Sequence, residues 1–252
     1  MIQFTTLDNA KAWLNLTTET DDDLISRLIV SATGYIKGWI NREIELTAYS
    51  ETYGGTGSTR LNVANYPILS VQSVTIDGQP IPAKPGPTLP GFTFDFSQII
   101  LDGYRFRLGI DNVQVFYKAG FQTVEIFTIP YASPYTLQTL LLWTSDVSVY
   151  ARGVQFSNVY ATPSGEGQYS AVDGIYTFDP SDAGSLIAIT YGYVPAEIEQ
   201  ACIDLVGRKY RERDRIGLAS KGLAGETTAF SQSDLSADTK AMLNQFRKVV
   251  PV

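Results

Sequence analysis

Apolar residues follow helical spacing at the two ends of the chain, and the first such pattern comes directly after Thr6. The Thr6 hydroxyl suits an N-cap, and the pattern predicts a short helix that ends near Asn15. A longer helix is predicted from Thr20, with three aspartates in the first turn, where the helix dipole favours anions. We interpret those aspartates as helix-start residues rather than as a cation site. The apolar stripe of the second helix is Leu24, Leu28, Ala32, Tyr35, Ile36, Trp39 and Ile40.

Two further helices are predicted near the C-terminus. The third begins at Pro195, which suits a first helical turn, and its stripe should pack against the second helix. That stripe is Ile198, Ala201, Cys202, Leu205, Val206 and Tyr210. The fourth is predicted from Ser233 or Ser236 to Val249. The residues between the third and fourth helices, 216–233, are too apolar for a plain linker and are typical of a segment that orders against a neighbour.

The middle of the chain shows the two-residue alternation of β-strands. Residues 44–63 predict two strands around the glycine-rich turn 54–57, which lacks the lysine and following helix of a phosphate-binding loop. The alternating run from Val71 stops at Asp77-Gly78, a hairpin signal. Five prolines make 80–91 an extended loop that cannot join a sheet interior, and strands resume at Phe92, Ile99 and Val113.

A sequence pattern that occurs twice indicates how the domains are arranged. The strand that ends at Ala119-Gly120 resembles the one that ends at Tyr191-Gly192, and in the second case a helix follows. The simplest interpretation is that residues 122–193 form an inserted all-β sandwich or barrel. Residues 1–121 and 194–252 would then form one discontinuous domain, a small helical bundle with a β-hairpin or small sheet. The predicted fold class is therefore α+β.

Composition and charge narrow the function. The chain of 252 residues has no histidine and one cysteine, Cys202, which lies on a predicted apolar stripe and should be a buried, inert thiol. With no catalytic motif, cofactor motif or metal-ligand cluster in the sequence, we expect a protein that is not an enzyme and binds no cofactor or metal. No secretory signal or membrane-spanning run is present, which favours production in a cytoplasm.

The formal net charge of −7 is unevenly distributed. Residues 1–51 hold eight acids and four bases, whereas residues 195–252 hold eight acids and nine bases. The basic run 208–215 is interpreted as a solvated helix face with local ion pairs, and a nucleic-acid contact is the alternative. An acidic surface suits a channel through which DNA slides without sticking.

Several stretches, in this order, resemble the head-tail connector or adaptor proteins of tailed bacteriophages. The resemblance covers residues 5–78, 113–121 and 192–250. The stretches are Leu7 to Leu16, Asp21-Asp22-Asp23-Leu24, Trp39-Ile40-Asn41-Arg42, Tyr53-Gly54-Gly55-Thr56-Gly57, Tyr66-Pro67-Ile68-Leu69-Ser70-Val71, Val74-Thr75-Ile76-Asp77-Gly78, Val194-Pro195-Ala196-Glu197-Ile198, Gly217 to Gly225, and Ala241-Met242-Leu243-Asn244-Gln245-Phe246-Arg247.

The resemblance implies a structural virion protein at the head-tail junction, assembled in the host cytoplasm. Such proteins form a homo-oligomeric ring, dodecameric in this family, below the portal protein, and the ring extends the DNA channel and receives a stopper or tail-completion protein. Genomic DNA passes through without sequence-specific binding, and no membrane is involved.

The resemblance also implies which residues make contacts. Portal docking falls to Leu243, Phe246, Arg247, Lys248 and Val250. Contact with a neighbouring subunit or the next ring falls to Gly217, Leu218, Ser220, Gly222, Leu223, Gly225 and Phe230.

Two alternatives remain open at this point. The aromatic residues of the insert would suit a tail-associated carbohydrate-binding or other attachment module, although aromatic residues in strands more often pack in a core. Those residues are Tyr131, Tyr135, Trp143, Tyr150, Tyr160, Tyr169 and Tyr176. The other alternative is an enzyme that uses carboxylates without histidine, for which the sequence offers no motif.

Overall fold

The computed structural model describes residues 2–213, 220–223, 226–229 and 235–248. The chain forms two compact units. Of the described residues, those in 2–42 and 195–247 belong to the first, which we call the helical unit, and 43–194 and 248 belong to the second, the β unit.

Four α-helices form the helical unit within the described residues. They are α1 (Leu7–Leu14), α2 (Asp22–Ile40), α3 (Ala196–Glu212) and α4 (Ala237–Asn244). Thr6 is the N-cap of α1 as predicted, since its Oγ1 accepts a hydrogen bond from the Asn9 N–H at 3.1 Å. The N-cap position of α2 is Asp21, one residue later than the predicted Thr20, and the Asp21 side chain makes no capping hydrogen bond. Helix α4 starts after Ser236, whose Oγ accepts from the Thr239 N–H at 3.1 Å, and it ends well before Val249.

Helices α2 and α3 pack against each other, as the two apolar stripes predicted. Ala32, Ile36 and Ile40 of the predicted α2 stripe are buried. In the first half of α2 the buried residues are Ile25 and Ile29, each one position after Leu24 and Leu28, which are half-buried. The cause is visible in the sequence, because leucine and isoleucine occupy adjacent positions and the apolar arc of α2 is wide. Cys202 of α3 is fully buried, with its Sγ 3.9 Å from the Thr33 Oγ1.

Fifteen strands build the β unit. They are β1 (Thr47–Gly55), β2 (Arg60–Asn62), β3 (Ile68–Ile76), β4 (Gln79–Ile81), β5 (Gly91–Phe94), β6 (Gln98–Asp102), β7 (Gly109–Ala119), β8 (Gln122–Thr128), β9 (Thr136–Gln138), β10 (Trp143–Ala151), β11 (Val154–Gln155), β12 (Ser157–Asn158), β13 (Gln168–Val172), β14 (Ile175–Phe178) and β15 (Leu186–Tyr193). Their sheet orders are β1-β7-β3-β4, β2-β6-β5, β11-β10-β15-β8 and β12-β13-β14-β9.

Each pair of sheets encloses its own apolar core. The first two sheets bury residues that include Phe106, Val113, Val115 and Tyr117. The last two bury residues that include Val149, Tyr176, Ile189 and Tyr191. Strand β4 carries Pro80 at the sheet edge, which fits the exclusion of proline from sheet interiors.

A further hairpin consists of β16 (Ser220–Leu223) and β17 (Glu226–Ala229), which pair antiparallel. Among the described residues this hairpin joins no other sheet.

The predicted fold class was wrong about the core of the molecule. Among the described residues, strands hold more of the chain than helices do and two apolar cores lie between sheets, so a small helical bundle is not the core of the molecule. The physical reason is that residues 43–121 bury an apolar core of their own between two sheets. From the alternating pattern alone, this region was interpreted as a hairpin or small sheet attached to the helices. All strands of the last two sheets come from residues 122–193, but the predicted insertion and its boundaries stay a prediction.

The Asp77-Gly78 turn between β3 and β4 provides a test of the hairpin. Its two central residues have φ of 50° and 76°, in the left-handed region that favours glycine and that aspartate tolerates, and no heavy atom lies within 4 Å of a Cβ added at Gly78. We expect Gly78→Ala to lower the free energy of unfolding by about 1 to 2 kcal/mol in urea titrations. Gly86→Ala, at a site equally open but without positive φ, is the control and should be near neutral. Equal effects would contradict the backbone explanation.

Cys202 reports on the integrity of the helical unit. Burial raises the pKa of its thiol to about 12, which leaves roughly a thousandfold less thiolate at mildly alkaline pH than in a free cysteine. We expect iodoacetamide to leave the folded chain unmodified and to alkylate it quickly in concentrated urea. Rapid labelling of the folded chain, read by mass spectrometry, would show that α2 and α3 separate readily.

Candidate functional site

The predicted portal-docking residues lie at the C-terminal end of the helical unit and just beyond it. Leu243 and Phe246 are buried, and therefore serve as packing residues of α4. Arg247 is exposed, with its guanidinium 5.9 Å from the centroid of the Trp39 ring, and Lys248 is half-buried. Val250 lies outside the described residues. The docking role stays a prediction, and its outward-facing part begins at Arg247.

The predicted inter-subunit segment coincides in part with the hairpin. Ser220, Gly222 and Leu223 lie in β16. Gly217, Leu218, Gly225 and Phe230 lie outside the described residues. Contact with a neighbouring subunit stays a prediction for all seven.

The basic run at the end of α3 makes local contacts, as one of its two interpretations required. Arg213 lies 3.4 Å from the Asp21 carboxylate and stacks over the Tyr210 ring. The Tyr210 hydroxyl donates to Asp21, and this bond and Arg213 hold the pKa of that carboxyl below its usual range. Lys209 lies over the Tyr35 ring at 5.8 Å. Asp21 thus joins the start of α2 to the end of α3, and within the described residues no acidic cluster suitable for a metal ion is found.

The aromatic residues of the carbohydrate-binding alternative separate into two groups. Tyr169 and Tyr176 are buried and stack on each other with ring centroids 5.8 Å apart. Tyr131, Tyr150 and Tyr160 are exposed, whereas Tyr135 and Trp143 are half-buried. Core packing therefore explains part of the set, and sugar binding by the remainder stays a prediction.

Two polar clusters, one in each half of the β unit, were missed by the sequence analysis. In the first, the Glu51 carboxylate accepts hydrogen bonds from the hydroxyls of Tyr53 and Tyr117, the latter at 2.5 Å, and from the Asn65 amide at 3.0 Å. Burial, together with the neighbouring Glu51, raises the pKa of both tyrosines above their ordinary value. These bonds fasten β1 to β7 and to the loop before β3.

The second cluster repeats this chemistry around Asp146 of β10. Its carboxylate accepts hydrogen bonds from the hydroxyls of Tyr169 at 2.7 Å and Tyr176 at 2.9 Å, and from the Asn158 amide at 2.9 Å. Both tyrosines have a raised pKa, chiefly because they are buried. Asp146 therefore joins the sheet that contains β10 to the sheet that contains β13 and β14.

The most exposed apolar surface of the first β-sheet pair is the segment 103–111, which we call the tip. Leu108 and Ile110 are 81% and 92% exposed, whereas Phe106 between the arginines is fully buried. Arg105 and Arg107 are exposed as well, so the tip combines aliphatic side chains with two guanidinium groups. Ordered aliphatic side chains this exposed are typical of protein contacts.

Hydrogen bonds hold the tip in one conformation. The Phe106 N–H donates to the Ser58 carbonyl at 2.9 Å, and its carbonyl accepts from the Gly57 N–H at 2.6 Å. The Asn112 side chain accepts from the Gly55 N–H at 2.9 Å and donates to the Arg107 carbonyl at 3.1 Å. A Cβ on Gly55 would lie 1.7 Å from that carbonyl, so the close approach requires glycine.

A cleft of about 690 Å³ lies beside the tip. Among the residues that line it are Tyr104, Arg105 and Arg107 of the tip, together with Ile76, Asp77 and Ile81. Its lining offers two guanidinium groups, one carboxylate and apolar side chains, which are chemically complementary to acidic and apolar groups.

One of the features that the sequence analysis did not predict, strand β13, does have a local signal in the sequence. The Asp173-Gly174 turn between β13 and β14 has φ of 50° and 81°, the same pair as at Asp77-Gly78, and the same dipeptide could have predicted β13. Nothing local marks Asp146, because its tyrosine partners come from other strands. Glu51 has one partner nearby, Tyr53 on the same strand, but its cluster also needs Tyr117, which is 66 residues away.

Comparison with known protein families confirms the resemblance to head-tail connector proteins. A family model described as "Head completion protein" matches residues 3–126, which is 124 of the 252 residues. No curated protein matches the chain. Among solved structures, a chain from "Neck of empty GTA particle computed with C6 symmetry" is 11% identical, with 98% of this chain and 90% of that chain covered and a TM-score of 0.33. A score at that level carries no argument about fold or function.

The Glu51 cluster can be tested through stability. Glu51→Gln removes the charge that strengthens three hydrogen bonds and leaves buried donors poorly paired, so the free energy of unfolding should fall by about 1 to 3 kcal/mol. The control is Glu166→Gln, at an exposed position of the same unit, which should change stability by less than about 0.5 kcal/mol. Urea denaturation followed by fluorescence gives both values. A loss no larger than the control's would show that the cluster is not a stabilising element.

Proposed function

We propose that the chain is a structural virion protein that completes the junction between head and tail, because residues 3–126 match the model of the head completion protein family. The family match is the observation that carries this proposal. The same match indicates a structural, non-enzymatic protein. No helix within the described residues is long and apolar enough to cross a membrane.

In the proposed assembly, copies of the chain form a ring below the portal protein. The ring extends the DNA channel, joins the capsid to the tail and receives a stopper or tail-completion protein on its far side. Exposed aliphatic residues support contacts of this kind, since Leu108 and Ile110 of the tip gain from leaving water when a partner covers them. The net charge of −7 supports passage of DNA without binding, because like charges repel.

The contact with the portal is assigned to the end of the chain after α4. Leu243 and Phe246 anchor α4 in the helical unit, so the residues that follow start from a fixed point. Arg247 and Lys248 give this end two positive charges in a chain that is acidic overall. A carboxylate-bearing groove on the portal would complement those charges.

The decisive experiment is cryo-electron microscopy of the purified chain mixed with the portal of the same virus. We expect a ring on the narrow end of the portal. A variant that lacks residues 248–252 keeps Leu243, Phe246 and Arg247, so it should fold normally and lose portal binding. Arg152→Glu, which alters an exposed turn residue of the β unit, is the control and should bind as the wild type does.

The outcomes separate the two claims. No association of the wild-type chain with the portal, together with binding to tail components or glycans, would overturn the proposed function. Normal attachment of the shortened variant, with unchanged circular dichroism, would overturn only the docking assignment.

A further inference from the structure

Strand β8 lies at the edge of its sheet, and its hydrogen bonds reveal which of its residues face outward. The Tyr193 N–H donates to the Phe121 carbonyl at 3.1 Å, and the Ile129 N–H donates to the Ser185 carbonyl at 3.0 Å. In an antiparallel ladder, alternate residues bond to the same neighbour, so the odd-numbered residues of β8 face β15. The backbone groups of the even-numbered residues therefore point away from the sheet. These residues are Gln122, Val124, Ile126 and Thr128.

The outer edge of β8 is unpaired among the described residues, and it is apolar. No backbone hydrogen bond to the outward groups is found there. The side chains of Val124 and Ile126 are 56% and 70% exposed. On β1, another long edge strand, the exposed positions hold Ala48, Ser50 and Thr52 instead.

β8 lacks the features that normally protect a free edge. It contains no proline, lysine or bulge, and its register with β15 is continuous over seven pairs, from Gln122 to Thr128. Its only charge, Glu125, is engaged elsewhere, accepting from the Tyr191 hydroxyl at 2.6 Å and from the Leu140 N–H at 3.2 Å. A long, regular, apolar edge of this kind is a template for a further strand.

Within the part of the chain that the structure describes, the hairpin β16–β17 lacks a third strand, which a free sheet edge such as that of β8 can supply. Its two strands of four residues pair only with each other among the described residues. A two-stranded hairpin is marginal in water, because it needs a third strand or a packing surface for stability. β17 contains two adjacent β-branched residues, Thr227 and Thr228, which suit a sheet.

We propose that the hairpin β16–β17 of one copy of this chain adds to the free edge of β8 in a neighbouring copy. The sheet β11-β10-β15-β8 then becomes a six-stranded sheet that crosses the subunit boundary. The outward N–H and C=O groups of Val124 and Ile126 supply the central main-chain hydrogen bonds. This inference rests on the proposed function, since it requires copies held side by side.

The geometry favours this occupant over a second β8 strand. A contact between two different elements is heterologous, and repeated contacts of that kind close a ring, whereas β8 paired with β8 is isologous and stops at a dimer. Two-fold pairing centred on Glu125 would also place two carboxylates opposite each other, which is destabilising.

The test uses a photo-crosslinking amino acid at position 126 in virus particles that contain a mixture of light and heavy-isotope copies. We expect crosslinked peptides that join residue 126 of one isotope to residues 220–229 of the other. The same group placed at Leu89, an exposed position in the proline-rich loop, is the control and should give no crosslink to the hairpin.

A pair of variants tests whether the backbone drives the contact, with the crosslinker moved to position 124. Ile126→Pro removes an outward N–H and should lower the yield of mixed-isotope crosslinks at least about tenfold, without disturbing the pairing with β15. Ile126→Thr keeps that N–H and β propensity, and its yield should stay within about twofold of the wild type. Circular dichroism of both variants checks the fold.

Other results would overturn the inference. They are crosslinks confined to copies of one isotope, crosslinks to residues 122–128 or to another protein, and no crosslink at all. Electron microscopy of the same particles distinguishes a failure of this inference from a failure of the proposed function. A chain present at the neck without hairpin crosslinks overturns only this inference, whereas a chain absent from the neck overturns the proposed function.

Discussion

The β unit depends on the pairing of β7 with a strand on each side. β1 and β3 both hydrogen-bond to β7 along most of its length, so Val113, Val115 and Tyr117 are buried in the resulting sheet. The Glu51 cluster then fastens Tyr117 to β1 and to the loop that leads to β3. β7 is therefore a central strand of eleven residues, and its Tyr117 is hydrogen-bonded to Glu51 of β1. The tip leads into the start of this well-held strand.

Local chemistry determined the parts of the fold that the sequence predicted. The Thr6 cap, the Asp77-Gly78 turn, the helix starts near Asp21 and Ser236, and the packing of α2 on α3 all follow from neighbouring residues or one helical period. The error about the core arose because tertiary pairing has no local signal. Nothing in residues 47–55 shows that β1 pairs with a strand some sixty residues away instead of forming a simple hairpin.

The candidate site shows the same division. Leu243 and Phe246 carry an apolar pattern that suits either a core or a docking surface, and burial, which decides between them, depends on α2 and α3. The sequence around the tip does not predict that it is exposed. Leu108 and Ile110 alternate with glycine, a pattern that also fits strand residues whose side chains lie in a core. The contacts that hold the backbone beside them, from Asn112 to Gly55 and to the Arg107 carbonyl, join residues from separate strands and leave no local signal in the sequence.

The rigid tip also bears on the order of events during assembly. Because hydrogen bonds fix its backbone, Leu108 and Ile110 cannot fold back to escape water while the chain is free. Their exposure to water is unfavourable in free energy until another surface covers them. Any apolar surface can provide that cover, so the tip does not by itself select its partner. Fidelity then becomes a matter of timing: the concentration of free chain must stay low relative to its intended binding surface, so that correct capture is faster than random association.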